Sequence, residues 1–256
     1  MMDNVAFESI SMSTDLFRFR RFSLRHDRST LKIGTDSVLL AAAVPLHRPV
    51  RILDVGCGCG VIGFCIADRL IANGETDFSV VGIDVDEPSI QESMENAQAF
   101  SRERAFQHFV FQQIAMQDVT SKSFDLIVSN PPFFADSLKP SDVRRLQSKH
   151  RDVNLPFADL AYKASELLAD EGLFYLILPV AESVEFVKIA ETSLYLAEIV
   201  DVYPTPTKPA HRRILGFSKR KNEIHRSALA IRDTAGGFTP EYIALTKQFY
   251  INMSSD

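Results

Sequence analysis

Apolar and polar positions follow two alternating patterns through the middle of the chain. Four continuous apolar runs predict buried strands of a parallel sheet, at 51–55, 79–83, 124–128 and 173–178. Between them, amphipathic spacing predicts helices at about 60–73, 87–100, 155–170 and 182–195. This alternation predicts a doubly wound α/β fold of the Rossmann-like kind, with ligand sites at the carboxyl ends of the strands.

The flanking segments carry weaker signals. Two later apolar runs, 197–203 and 213–218, are joined by a short connection rich in proline and basic residues, which indicates an antiparallel final pair. Gly172 follows the sequence LLADE and is expected to end a helix. We expect a basic arm or small hairpin over 1–30, a main domain over 31–222, and a C-terminal tail over 223–256 with a helix at 240–253.

Composition narrows the class of protein. The 256 residues suit one large domain, and no apolar run approaches the roughly 18 residues of a membrane-spanning helix. The first 17 residues lack the basic start and apolar core of a secretory signal. Cys57, Cys59 and Cys65 are an odd number within a short stretch, so a disulfide framework is not expected. We expect a cytoplasmic, monomeric protein with no membrane attachment.

The charge distribution is uneven. Net charge is −5, yet segments 18–32, 139–151 and 208–226 contain 18 of the 28 lysines and arginines. These segments either converge on one polyanion-binding face or form separate solvated loops. The convergent arrangement would bind RNA through the following side chains: Arg18, Arg20, Arg21, Arg25, Arg212, Arg213, Lys219 and Lys221.

A glycine-rich turn follows the first predicted strand of the main domain. Gly56, Gly58 and Gly60 allow a tight turn and a close approach of the backbone to a ligand. Asp54 stands immediately before them, where a carboxylate would repel a pyrophosphate but attract the ammonium group of S-adenosylmethionine. The alternative is that Asp54 caps the strand end. The cysteines between the glycines lack the further ligands that zinc needs, so no metal is expected.

Two further acids extend this predicted cofactor site. Asp84 ends the second strand of the main domain, where an acid accepts hydrogen bonds from the hydroxyls of an unsubstituted ribose. Asp118 is expected to follow the third strand and to reach the adenine amine.

The tetrad Asn130-Pro131-Pro132-Phe133 directly follows the strand that begins at Phe124, which is the fourth strand when the one expected before Asp118 is counted. An exocyclic amine on a ring is a weak nucleophile, and acceptors aimed at its hydrogens favour the geometry of the transition state. Asn130 offers a side-chain carbonyl, and the two prolines stiffen the backbone and leave the Pro131 carbonyl free to accept. Phe133 offers a ring on which an extruded base stacks. The alternative is an ordinary proline turn.

The glycine loop, Asp84, Asp118 and the tetrad resemble the class I adenine-N6 and glutamine-N5 methyltransferases. The residues Phe22 to Leu40, His150-Arg151 and Lys208 to Phe217 resemble more narrowly the bacterial tRNA1(Val) adenosine-37 N6-methyltransferases. This resemblance implies a seven-stranded, mostly parallel sheet with an antiparallel last strand. It also implies S-adenosylmethionine as cofactor and a valine tRNA as substrate, with Asn130 touching the cofactor as well as the substrate.

The same resemblance implies that Lys32, Thr35 and Asp36 bind the methionine end of the cofactor. An ordinary helix start is the alternative, in which Thr35 or Asp36 caps the helix that begins before Val38. Both roles are compatible, because such a cap would place helix amides beside the cofactor carboxylate.

Other methyl acceptors stay open at this point. A protein glutamine has an amide nitrogen chemically similar to an adenine amine, but such enzymes usually carry a helical domain where this chain has about 50 arginine-rich residues. An adenine of ribosomal RNA is a further alternative. A DNA adenine methyltransferase would need a target-recognition domain, and a non-catalytic RNA-binding module would not need Asp54, Gly56, Asp84 and Asn130 together.

Overall fold

The computed structural model describes residues 16–46, 51–132, 155–251 and 253. Its first elements are two short antiparallel strands, β1 (Leu16–Arg18) and β2 (Ser23–Arg25). They form a short hairpin in the described part of the segment that was expected to be an arm or a small hairpin.

The main sheet has eight strands. In chain order these are β3 (Arg51–Val55), β4 (Ser79–Asp84), β5 (Phe109–Gln113), β6 (Phe124–Ser129), β7 (Leu168–Pro179), β8 (Tyr195–Tyr203), β9 (Arg212–Ser218) and β10 (His225–Ala230). The helices are α1 (Thr35–Ala43), α2 (Val61–Ala72), α3 (Glu87–Arg104), α4 (Phe157–Leu167), α5 (Val180–Ala190) and α6 (Pro240–Thr246). A 3-10 turn covers Met116–Asp118. None of the helices in the described ranges combines the length and apolarity needed to cross a bilayer.

The strand order across the sheet is β10-β8-β9-β7-β6-β3-β4-β5. Strand β9 is antiparallel to both of its neighbours, and the other strands all run in one direction. This confirms a mostly parallel, Rossmann-like sheet with an antiparallel strand and the predicted antiparallel pairing of β8 with β9. The resemblance implied seven strands with the last one antiparallel, whereas the described sheet has eight and its antiparallel strand is β9. The eighth strand, β10, comes from the stretch predicted as a tail, where it forms one edge of the sheet and pairs in parallel with β8.

Two hydrophobic cores cover the two faces of the sheet. One contains the buried side chains of the hairpin, α1 and α2, together with residues of α6, and includes Phe22, Leu40 and Phe64. The other contains the buried faces of α4 and α5, and includes Leu160 and Phe186. Because both faces are covered, the central strands are apolar on both sides, which explains their continuous apolar runs.

Three details differ from the sequence pattern. Helix α4 ends at Leu167, and Gly172 lies inside β7, so its predicted helix-capping role is wrong. A Cβ on Gly172 would stand 2.7 Å from the Phe124 carbonyl oxygen, so the close approach of β6 is what requires glycine. Helix α6 ends at Thr246, although the sequence predicted a helix over 240–253. Strand β5 lies outside the four apolar runs that predict strands.

The hairpin is anchored to the main domain by a buried acid. The Arg21 guanidinium donates to both carboxylate oxygens of Asp68, at 2.9 Å from Nε to Oδ1 and 2.5 Å from Nη2 to Oδ2. Arg104 of α3 places its Nε 3.0 Å from Asp68 Oδ1. The Asp68 side chain is 1% exposed, so this carboxylate depends on the two arginines for its charge balance.

Candidate functional site

A cavity of about 200 Å³, here the inner cavity, lies at the carboxyl ends of β3, β4 and β6. Parallel strands bring their following loops to one edge of the sheet, so the glycine loop, Asp84 and Asn130 line the same cavity. Residues from the loop before α1 also line it, namely Thr30, Leu31 and Lys32.

The glycine loop has a left-handed backbone at three positions. Gly56, Gly58 and Gly60 have φ values of 67°, 53° and 85°, a region that other residues rarely adopt. Gly60 precedes α2, and a Cβ there would lie 2.6 Å from the Phe64 ring, so neither its conformation nor its surroundings tolerate a side chain. The amide of Gly58 donates to Asp84 Oδ2 at 2.9 Å.

Asp84 ties the glycine loop to the end of β4. Its Oδ2 accepts from Gly58, and its Oδ1 accepts from the Asp86 amide at 3.0 Å. A carboxylate has about four acceptor positions, so two remain for a ligand. Burial raises the pKa of Asp84, and the two amides oppose this shift. The structure therefore places this acid in the inner cavity, as the sequence predicts.

Asp54 occupies a different position from the one expected. It is fully buried and does not line the inner cavity, and its Oδ2 accepts from the Gly63 amide at 3.0 Å near the start of α2. Its Oδ1 has no hydrogen-bond partner among the described residues. Burial raises the pKa of Asp54 to about 7, with Asp84 adding to the shift and the Gly63 amide opposing it. This contact links Asp54 to the first turn of α2, and the role of Asp54 towards a cofactor stays a prediction.

Asn130 stands at the boundary between two cavities. Its Nδ2 donates to the Ser37 hydroxyl oxygen at 2.9 Å, and its buried Oδ1 has no partner in the described parts of the chain. Pro131 and Pro132 line the same boundary, whereas Phe133 lies outside the described residues. An unpartnered buried amide oxygen is costly, so it is a position where a donor from a ligand is expected.

The second cavity is a cleft of about 1060 Å³, here the outer cleft. Helix α1, the hairpin and the C-terminal segment form its walls. Both cavities are lined by Leu31, Lys32, Ser37, Asn130, Pro131 and Pro132. A small ligand in the inner cavity and a larger one in the outer cleft would therefore meet at Asn130.

The start of α1 faces the outer cleft more than the inner cavity. The helix is preceded by Gly34, without a side-chain cap, so neither Thr35 nor Asp36 is the N-cap. Thr35 and Asp36 line only the outer cleft, and Asp36 Oδ2 lies 2.7 Å from Arg212 Nε. Lys32 lines both cavities, and its Nζ donates to the His26 and Asp27 carbonyls at 2.6 and 3.0 Å.

Asp118 is not brought to the site. It ends the 3-10 turn with an exposed side chain, and the preceding residues Ile114, Ala115, Met116 and Gln117 line the inner cavity instead. Strand β5 leads into this turn, and the sequence does not show which of its residues point inward. The same cavity wall contains Ser89, which follows the N-cap Asp86 of α3.

The predicted RNA-binding residues divide into two groups. Several have partners within the chain: Arg21 with Asp68, Arg212 with Asp36, Arg213 with Asp201 at 2.6 Å, and Lys219 with the Leu168 carbonyl at 2.7 Å. Exposed side chains at the protein surface form the other group: Arg18, Arg20, Arg25 and Lys221. Arg18 also lines the outer cleft.

The cysteines are buried and unpaired. Burial raises the pKa of Cys57 and Cys59, which keeps both thiols protonated. Within the ranges that the structure describes, no three His, Cys, Asp or Glu side chains are grouped closely enough to hold a metal ion.

Comparisons with known proteins agree with this architecture. A family model described as a methyltransferase domain matches residues 46–226. The chain is 33% identical over 248 residues to a Flavobacterium johnsoniae protein called tRNA1(Val) (adenine(37)-N6)-methyltransferase, covering 93% of this chain and 100% of the relative. It is 36% identical over 243 residues to a Trichodesmium erythraeum protein of the same name, with coverages of 94% and 99%.

A solved structure shows the same fold at lower identity. It is described as a predicted O-methyltransferase from Agrobacterium tumefaciens, with a TM-score of 0.62 and 19% identity. The match covers 84% of this chain and 96% of that one.

Proposed function

The chain belongs to the tRNA1(Val) (adenine(37)-N6)-methyltransferase family, and from this membership we propose that it methylates the N6 amine of adenosine 37 in a valine tRNA. S-adenosylmethionine is the proposed methyl donor. The observation that carries the proposal is the position of Asn130, whose unpartnered Oδ1 is buried at the boundary of the two cavities.

The residues that line the inner cavity support its proposed role as the cofactor site. Asp84 has acceptor capacity left for ribose hydroxyls, and the glycine loop leaves backbone exposed to a ligand. Lys32 supports the carboxylate of the cofactor by charge. Asp54 supports the ammonium group indirectly, by organising the loop through Gly63 and by its negative charge when ionised.

The outer cleft admits the nucleotide, and Asn130 orients its amine. S-adenosylmethionine supplies a methyl group activated by the adjoining sulfonium. Asn130 Oδ1 accepts from one hydrogen of the amine, and the Pro131 carbonyl is proposed to accept from the other. These acceptors favour a pyramidal nitrogen whose lone pair is available for attack, and they hold it in line with the methyl group.

Ser37 fixes the orientation of the Asn130 amide. Because Nδ2 donates to the Ser37 oxygen at 2.9 Å, the carbonyl end of the amide is kept for the substrate. No strong base is required for this chemistry, since the amine can release its proton after attack. Phe133 is proposed to stack on the adenine. The cytoplasmic location and the monomeric state remain predictions.

The proposal is tested by methyl transfer in vitro. Purified chain, labelled S-adenosylmethionine and an unmodified valine tRNA transcript should give labelled N6-methyladenosine, identified by mass spectrometry of nucleosides. A transcript with guanosine in place of adenosine 37 is the matched control and should remain unlabelled. Labelling of a glutamine-containing protein but of no RNA would overturn the adenine assignment.

A further inference from the structure

One wall of the outer cleft is built from the C-terminal segment. It consists of Ile231, Arg232, Phe238, Tyr242, Tyr250, Ile251 and Met253, and it lies outside the residues that the family motifs single out. The hairpin adds Phe17 and Arg18 to the same cleft. A volume of about 1060 Å³ exceeds the roughly 300–1,000 Å³ of typical small-molecule sites, so the cleft has room beyond the target base.

Three side chains of this wall are stacked on one another. The Arg232 guanidinium lies over the Phe238 ring, 4.4 Å from its centroid, and the Phe238 and Tyr242 rings are stacked with centroids 5.2 Å apart. Tyr242 is buried, Phe238 is half-buried and Arg232 is exposed, so the stack presents its cationic end to the cleft. Arg232 is held in place because its Nη1 donates to the Gly236 carbonyl at 2.7 Å.

The charge of the cleft is positive. Arg18, Lys32 and Arg232 line it, and its one acidic lining residue among those described, Asp36, is paired with Arg212. Flat cationic and aromatic surfaces in a positive groove are the features that bind single-stranded nucleic acid, because every base has a face that stacks and every nucleotide carries a phosphate.

We propose that this wall is a subsite for the unpaired nucleotide next to the target adenosine in the RNA chain. Its base stacks on the exposed face of the Arg232 guanidinium, which the Phe238 ring supports from the other side, and Arg18 holds a neighbouring phosphate. The inference rests on the proposed function for the identity of the target nucleotide. It assigns to residues 231–242 a role in selecting an unpaired RNA segment, beyond binding of the methylated base itself.

The test uses stem-loop RNAs that carry 2-aminopurine at one or the other neighbour of the target adenosine. Stacking quenches the fluorescence of this base, so binding of the parent chain should quench it at one of the two positions. Phe238→Leu and Arg232→Gln should each reduce the quench and weaken RNA binding by roughly tenfold, the scale of one lost stacking contact. Phe238→Tyr keeps the aromatic ring, so it should retain the fluorescence quench and the RNA affinity of the parent chain.

Controls separate the subsite from general damage to the fold. Tyr162→Leu removes an aromatic ring that is 60% exposed and does not line the cleft, so it should leave quenching and affinity as in the parent chain. Binding of S-adenosylhomocysteine should be unchanged in every variant. Because Arg232 is exposed, Arg232→Gln tests the subsite even if Phe238→Leu fails to fold.

The outcomes for the two proposals differ. If the parent chain methylates the tRNA but shows no quench at either neighbour, or both variants quench like the parent, the subsite is overturned and the proposed function stands. If quenching depends on Phe238 and Arg232 while the parent methylates no tRNA, the RNA subsite is supported and the proposed function fails.

Discussion

Asn130 Nδ2 lies 2.9 Å from Ser37 Oγ, so a residue that follows β6 is oriented by a residue in the first turn of α1. The contact joins the motif that meets the substrate to the wall shared by both cavities. It makes the direction of the Asn130 amide a property of the folded domain, and a testable one.

Asn130→Ala should lower the rate of methyl transfer by about 10²-fold or more, by analogy with the loss of one transition-state hydrogen bond. Ser37→Ala should lower it less, because the acceptor remains but is no longer held. Single-turnover assays beside direct binding of RNA and cofactor measure both variants. A tenfold loss of binding with an unchanged rate would contradict the assignment of Asn130 to the chemical step.

Asp84→Ala should weaken binding of S-adenosylhomocysteine by about 1–3 kcal/mol, through lost charge-assisted hydrogen bonds to the ribose. Asp118→Ala is the matched control, since this acid is exposed and does not line the inner cavity. It should bind like the parent chain in calorimetric titration. Equal losses in the two variants would restore a cofactor role to Asp118, and strong binding of NAD with none of S-adenosylhomocysteine would contradict the cofactor assignment.

The buried carboxyl of Asp54 should make stability depend on pH. Burial raises its pKa from an ordinary 3.8 to about 7, so the folded chain keeps a proton that the unfolded chain releases. The contribution of this group to the free energy of unfolding should therefore fall between about pH 4 and about pH 7 and should not change further above that range.

Urea unfolding of the parent chain and of Asp54→Asn across this range measures the effect. The downward contribution to the slope should be smaller in the variant than in the parent chain, since the variant's side-chain oxygen still accepts from Gly63 but does not titrate. Asp118→Asn, at an exposed carboxyl, is the control and should keep the parent's slope. Identical slopes in the parent and Asp54→Asn would contradict the attribution to Asp54.

RNA affinity should fall steeply with salt, because cationic side chains that bind phosphates release counterions. Arg18→Gln, Arg20→Gln and Arg25→Gln should each lower the salt slope by roughly one unit if the residue contacts a phosphate. Arg21→Gln should mainly lower the free energy of unfolding, since Arg21 pairs with buried Asp68. A salt-insensitive affinity would show that these exposed arginines bind no phosphate.

Loss of the Glu92 carboxylate should lower both the stability of the chain and its affinity for the cofactor. Glu92 is fully buried, and its carboxylate accepts from the Arg28 amide at 3.1 Å and from the Ser29 amide and hydroxyl at 3.0 and 2.5 Å. Glu92→Ala should cost about 1–3 kcal/mol of stability, from the donors left unpaired, and should weaken cofactor binding. Cofactor binding should weaken because Arg28 and Ser29, which Glu92 holds, directly precede Thr30, and Thr30 lines the inner cavity.

The matched control is Glu95→Ala. Glu95 pairs with the Arg28 side chain, but it is 53% exposed, so its loss should change stability by less than about 1 kcal/mol. Unfolding curves and titration with S-adenosylhomocysteine measure both variants. Unchanged cofactor affinity in a folded Glu92→Ala would show that the loop does not depend on this carboxylate.

Features that follow from chain order could be predicted from the sequence. The alternation of apolar runs and amphipathic helices predicts a doubly wound sheet, and the sheet is present. Asp84, Gly56, Gly58 and Asn130 end or follow strands, and parallel strands bring such residues to one edge of the sheet, so their meeting at the inner cavity was predictable. The hairpin and the antiparallel pair of β8 and β9 also follow from local pattern.

The choice of partners among distant residues could not be predicted in this way. The sequence does not distinguish a charged side chain that is solvated from one that forms an ion pair. Only the folded structure shows that Arg21 pairs with Asp68 and that Arg212 pairs with Asp36. Gly172 resembles a helix cap until β6 is packed beside it. The residues that point into the inner cavity after β5 could not be predicted either. The alternation of side chains applies only within a strand, and these residues lie in the turn that follows it.

The sequence by itself determined the central strands of the sheet, the glycine loop and the position of Asn130 after its strand, because these depend on spacings of a few residues along the chain. The tertiary structure decided that Asp54 is buried behind the loop and that Arg232 and Phe238 complete the outer cleft. The burial of Asp54 and the walls of the outer cleft depend on packing between segments that are far apart in the chain. Local sequence patterns do not predict such packing.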